Sequence, residues 1–245
     1  MEVDFERRSP RASDEIRVGM VDLNDNHRWV DFGSSRAWGW QQGCMLQWVP
    51  GREAEVIWND RQGNAFVSHV LNVKSGKRRT LPMPVYALSP DGEWAVTTDF
   101  ARLNDTRPGY GYAGLPDPNS NVRIPADTGI WRMELNSGKT AQVVSLAEAA
   151  AVPNRNTDVE GAQHWFNHLL VNTDGTRFCF LHRWKGGAGQ KRAFSTRFFT
   201  CNPDGSDLYG LDPYGGTSHF IWRDPTHIMA WADHPSYGNK FCLLS

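Results

Sequence analysis

The chain has 245 residues, 40% of them hydrophobic, and a net charge of −1 from 26 basic and 27 acidic side chains. That length can bury a sizeable core in one β domain or two smaller ones. The balanced charge offers no basic face, which argues against nucleic acid, and no apolar run of about 18 residues is present to cross a membrane as a helix.

Residues 1–14 are charged and lack an apolar core, so no signal peptide is visible and the compartment stays open between cytoplasm and periplasm. Beyond them, helical periodicity is almost absent. The convincing exception is a short Ala-rich stretch at 145–151, ending before Pro153. Elsewhere short apolar runs are bounded by Gly, Pro, Asn and Asp, which reads as β-strands.

Taken in chain order, the strands repeat. A turn followed by an apolar strand appears at Pro50-Gly51 before Val56-Ile57-Trp58. It returns at Pro90-Asp91-Gly92 before Trp94-Ala95-Val96, and at Asp174-Gly175 before Phe178-Cys179-Phe180-Leu181. A fourth copy is Asp224-Pro225 before Ile228-Met229-Ala230. A second unit, strand–Gly turn–strand, closes the earlier repeats through Ser75-Gly76, Ser137-Gly138 and Asp204-Gly205. Trp48, Leu88, Val171 and Trp222 are then equivalent positions at steps of about 40–50 residues, the blade length of a β-propeller. The step from Leu88 to Val171 is longer because of inserted loops at 104–127 and 152–163.

The predicted fold is therefore all-β: an incomplete β-propeller of four-stranded antiparallel blades. Three are full (37–81, 82–149, 163–211) and two partial (16–36, 218–245). A solenoid or open sandwich is the competing architecture. Open blade edges expose unpaired strands, so the pattern predicts a truncated gene product or a fragment completed by another chain. Cys44, Cys179, Cys201 and Cys242 are widely spaced without metal-binding spacing and read most simply as buried thiols.

Several residues could carry chemistry. His168 and His182 are expected side by side at one end of a hairpin, able to share a metal or flank an anion, or simply to be rim histidines. Arg197 and His219 are expected at the same end, at strand starts facing a channel mouth. Tyr86 and Arg102 form the matching pair one blade earlier, where a guanidinium beside a phenol lowers its pKa; a structural tyrosine is the alternative. Trp40, Gln41 and Gln42 suit sugar stacking and hydroxyl hydrogen bonds. Tyr110 and Tyr112 lie in a Gly-rich loop that could cover a funnel. No P-loop, GxGxxG after a strand, GxSxG or HExxH is present.

The stretches His168-Leu169-Leu170-Val171, Phe178 to His182, Arg197 and Ser218-His219-Phe220-Ile221-Trp222 resemble the oligogalacturonate lyases. The pair Tyr86 and Arg102 is similar to that of propeller-type ulvan lyases. The resemblance covers about two thirds of the chain and departs from the ulvan lyases upstream of Tyr86, where Gln41 and Gln42 lie instead of histidines. It implies β-elimination on a uronate-containing glycan. Tyr86, Arg102, Arg197 and His219 would be catalytic, and His168 and His182 would hold a divalent metal (zinc, manganese or calcium). The competing expectation is a non-catalytic propeller that binds a carbohydrate or a protein partner.

Overall fold

Strand β1 (Ile16–Asp22) pairs antiparallel with β2 (Arg28–Ser35) as a two-stranded sheet. A computed structural model describes residues 8–153, 159, 161–187, 190, 193–212, 215–236 and 238–245. Strands β3 (Gln47–Trp48), β4 (Glu55–Gln62), β5 (Ala65–Asn72) and β6 (Arg78–Leu81) form a four-stranded meander in sequence order. So do β7 (Ala87–Leu88), β8 (Trp94–Thr98), β9 (Gly129–Glu134) and β10 (Thr140–Ser145). A third meander comprises β11 (Gln163–Val171), β12 (Phe178–Lys185), β13 (Ser195–Cys201) and β14 (Tyr209–Asp212). Strands β15 (Ser218–Asp224), β16 (His227–His234) and β17 (Gly238–Leu244) make a three-stranded sheet. Among the described residues these are three full β-propeller blades and two partial ones.

Two compact units divide the chain. The first holds the chain up to Val85 and returns at Phe100–Pro118; the second holds Tyr86–Asp99 and Asn119–Ser245. In the first, Ile16, Val18 and Phe32 pack on Val56, Trp58 and Leu71, so the two-stranded sheet covers one face of β3–β6. In the second, Cys179, Leu181 and Phe198 are covered by Trp222, Ile228 and Ala230. Cys44, Cys179 and Cys201 are buried free thiols, as expected, whereas Cys242 is partly exposed.

Helix α2 (Leu146–Ala151) occupies the predicted stretch. Its start is set by a capping box: the Ser145 hydroxyl accepts from the amide of Glu148, whose carboxylate accepts from the amide of Ser145. Helix α1 (Phe100–Thr106) is a departure, since the sequence shows convincing helical character only at 145–151. Seven residues with neither an acidic first turn nor a basic last turn carry little helical signal. Burial of Phe100 and Leu103, one turn apart, supplies what propensity does not.

The turn at Asp204-Gly205 shows why these repeats need glycine. Gly205 has φ +85°, and a Cβ there would lie 1.8 Å from the Val143 carbonyl oxygen, beside a neighbouring strand. Gly205→Ala is expected to lower stability by about 1–3 kcal/mol. Equilibrium urea unfolding checks this, and an unchanged midpoint would contradict the reading.

Candidate functional site

In the second unit, the face of β11–β13 that carries His182 is aromatic and buried. Phe166, Phe199 and Trp184 ring the imidazole at centroid distances of 5.5, 6.0 and 5.5 Å. Its partner is Arg197, directly opposite on β13, whose Nη2 lies 3.2 Å from His182 Nδ1. His182 Nε2 lies 2.8 Å from His164 Nδ1. A guanidinium can only donate. Nδ1 of His182 must therefore accept, which leaves the proton on Nε2, and that proton is donated to His164. Both ring nitrogens are engaged only in the neutral imidazole. Burial, then the neighbouring His164 and Arg197, pushes the His182 pKa well below the usual histidine value.

Arg197 is committed elsewhere as well. Its Nη1 donates to the Val152 carbonyl and its Nη2 to that of Ala149, each at 2.7 Å. It thus closes the C-terminal end of α2, where carbonyls lack helical partners. Burial lowers its own pKa to about 10.

His168 does not stand beside His182. The register of β11 against β12 slips between Asn167 and Leu170, so His182 lies opposite Phe166. His168 sits in the bulge at φ +53°, where its backbone amide donates to Tyr86 Oη at 2.9 Å and its Nδ1 lies 3.4 Å from the same oxygen. The conformation is not peculiar to this residue. Met45 and His219, three residues before Trp48 and Trp222 as His168 is before Val171, have φ +55° and +51°. The left-handed residue recurs in three of the four repeats, Val85 before Leu88 being the exception, so strain at a histidine is no evidence of catalysis here. The metal expectation fails the fit: His168 and His182 lie apart in register, and both nitrogens of His182 are used. Among the described residues no group of three or more His, Cys, Asp or Glu side chains is placed to hold a metal.

His219 is exposed, with Nδ1 2.9 Å from its neighbour Ser218 Oγ. Tyr86 is buried. Arg102 belongs to the first unit, not to a hairpin strand beside Tyr86. It lies on α1, where its Nη1 is 2.9 Å from Asp117 Oδ2 with both side chains out of solvent. Tyr112 is not a lid residue: it stacks on Phe100 at 4.0 Å and its hydroxyl accepts from Asn59 Nδ2 at 2.9 Å. Trp40, Gln41 and Gln42 are exposed, and the Trp40 amide donates to the Gly109 carbonyl at 2.7 Å. Tyr110, the next residue, carries the Arg107 guanidinium 3.5 Å above its ring. Sequence reasoning missed His164. The signal available was its spacing: His164 and Phe166 share a strand face before the bulge.

No protein-family model and no curated protein matches the chain. Among solved structures it is similar to the tricorn protease, with a TM-score of 0.52 and 11% identity over 96% of this chain and 20% of that one. The acylaminoacyl peptidase of Pyrococcus horikoshii gives 0.45 and 13%, over 82% of this chain and 30% of that one. The β-propeller domain of the Trilobed protease from Pyrococcus furiosus gives 0.43 and 14%, over 81% and 52%. The chain therefore spans between a fifth and about half of the length of these proteins. At such identities the likeness shows the fold alone. All three are named as proteases or peptidases and none as a lyase. Nothing in the likeness supports the expectation of a uronate-cleaving lyase, and the internal contacts of Arg102, Arg197 and His182 overturn it; what the chain shares with the tricorn protease is the blade architecture of a β-propeller.

Proposed function

We propose that this chain is a non-catalytic β-propeller module that binds a protein partner. The observation that carries the reading is the outer face of β15–β17, where Ile221, Met229, Phe241 and Leu243 are all exposed. Register pairs Ile221 with Met229 and Met229 with Leu243, so these side chains form one contiguous apolar surface. Contiguous surfaces of this kind mark interaction sites. The buried charges inside each unit support the same reading, because Arg102 and Arg197 serve structure. A carbohydrate ligand is the second reading, favoured by exposed Trp40, Gln41 and Gln42 beside Tyr110.

The test is turnover against peptide and uronate-polymer panels. Product formation no greater than a buffer blank, and equal in Tyr86→Phe and His219→Ala, is the expected result. Turnover that falls in either variant would sink the non-catalytic reading.

A further inference from the structure

The second unit holds a cavity of about 350 Å³ between β12–β13 and the connection from β14 to β15. Among the described residues of its wall, Arg183 is the charged one. It follows His182 on β12 and so projects from the opposite face of the sheet. Arg183 is 5% exposed, its Nε donates to Thr196 Oγ1 at 3.2 Å, and its guanidinium lies 4.8 Å above the Phe194 ring. These two contacts set the plane of the guanidinium fork. Ala193 and Phe194 make an apolar part of the wall, and Thr196 and Thr217 a hydroxylic part. The Thr217 hydroxyl donates to Asp212, which also accepts from the Gly215 amide, so this carboxylate outside the wall is engaged.

A second observation on the same sheet face points to a ligand. Trp165 pairs directly with Arg183, and Asn167 stands two residues further along β11, so the three side chains share that face. Trp165 meets the Phe194 ring edge-on at 6.1 Å. Trp165 and Asn167 are each 1% exposed, yet Trp165 Nε1 and both amide atoms of Asn167 have no hydrogen-bond partner among the described residues. Buried polar groups are nearly always paired, and an unpaired set calls for an explanation. An indole only donates and an amide nitrogen donates twice, so what this face chiefly lacks is an acceptor.

We propose that this cavity binds a carboxylate that carries a small apolar group. Arg183 takes the carboxylate through its planar fork, and Ala193 and Phe194 pack on the apolar group. The charges decide the class of anion. One guanidinium balances one carboxylate, whereas a phosphate dianion would keep uncompensated charge in a wall that has no second cation among the described residues. The volume lies at the small end of the range for ligand pockets, about 300–1,000 Å³. A free small molecule and the C-terminus of a peptide present the same chemistry to Arg183. The site is separate from the apolar face of β15–β17 and goes beyond the protein-binding reading.

The test is isothermal titration of the intact chain with benzoate, hexanoate, inorganic phosphate and a short peptide ending in Gly-Phe, the last as the free acid and as the amide. Saturable binding of at least one carboxylate is expected, at least tenfold tighter than benzyl alcohol, hexanol or the peptide amide. It should weaken at least tenfold in Arg183→Gln. It should weaken as much in Ala193→Trp, which fills the cavity from an exposed position and leaves the charge in place. Melting temperatures equal to wild type show that the variants fold, and should Arg183→Gln fail to fold, Ala193→Trp alone decides. Tighter binding of the peptide acid assigns the carboxylate to a chain terminus, and tighter binding of benzoate or hexanoate assigns it to a small molecule; either result supports the proposal. No saturable binding by any carboxylate, equal binding by the folded variants, or phosphate bound more tightly than every carboxylate overturns it.

Discussion

Asp117→Ala is expected to destabilise the protein by about 3–5 kcal/mol, the cost of leaving a buried charge without its partner. Asp117 accepts from Arg102 at 2.9 Å, and their side chains are 0% and 1% exposed. Arg102 stands on α1 between Phe100 and Leu103, which are core residues. A drop of roughly 10 °C in melting temperature follows for a chain of this size. Replacing both partners, Arg102→Met with Asp117→Leu, should recover most of the loss, because the double change removes the desolvated charge as well as the bond. Thermal unfolding followed by circular dichroism measures both. A single variant within about 1 °C of wild type would show that the pair contributes little.

The second large effect concerns acid. His182 is buried and its pKa is depressed, so the folded state binds fewer protons than the unfolded state below the unfolded value. Its contribution is fully present above the ordinary histidine pKa of about 6.5 and is lost progressively as pH falls below it. Each pH unit in that range should remove up to about 1.4 kcal/mol while this histidine dominates. The geometry gives the reason. A protonated His182 would turn an N–H towards the Arg197 guanidinium 3.2 Å away, placing donor against donor and charge against charge. His182→Gln, which can still accept from Arg197 and donate to His164, should flatten the stability profile between about pH 5 and 6.5. Urea unfolding at a series of pH values reads this out. An unaltered slope in the variant would assign the acid sensitivity elsewhere.

Both effects arise from residues that the sequence marked as chemical and the fold uses as structure. Arg197 was expected near His182, and the two do face each other across β12 and β13. Their shared surroundings are aromatic rings and helix carbonyls, however, where the pair serves to end α2. The resemblance to uronate lyases rested on short runs, such as Phe178 to Leu181, that are core strand sequence. Any blade needs apolar side chains there to cover its neighbours, so the runs carried information about the fold more than about chemistry.

The strand repeats were legible because two local rules set them. Turns need Asp, Asn, Pro and Gly at fixed offsets, and strands between sheets are apolar on both faces. Gly175 at φ +76° and Gly205 at φ +85° occupy the left-handed positions those turns require. The capping box at Ser145 and Glu148 was local in the same sense. What only the tertiary structure decided were relations across strands. One extra residue in the bulge at His168 shifts the register so that His182 lies opposite Phe166 and meets His164, where the register of Leu170 with Cys179, continued without the bulge, would have put Asn167 opposite it. Nothing within a few residues of Phe100 determines that its segment coils into α1. Burial of its apolar side does, together with the pairing of Arg102 to Asp117, fifteen residues away. Strand identity follows from the backbone's neighbours in the chain, whereas partnership between side chains depends on a register that a single residue can move.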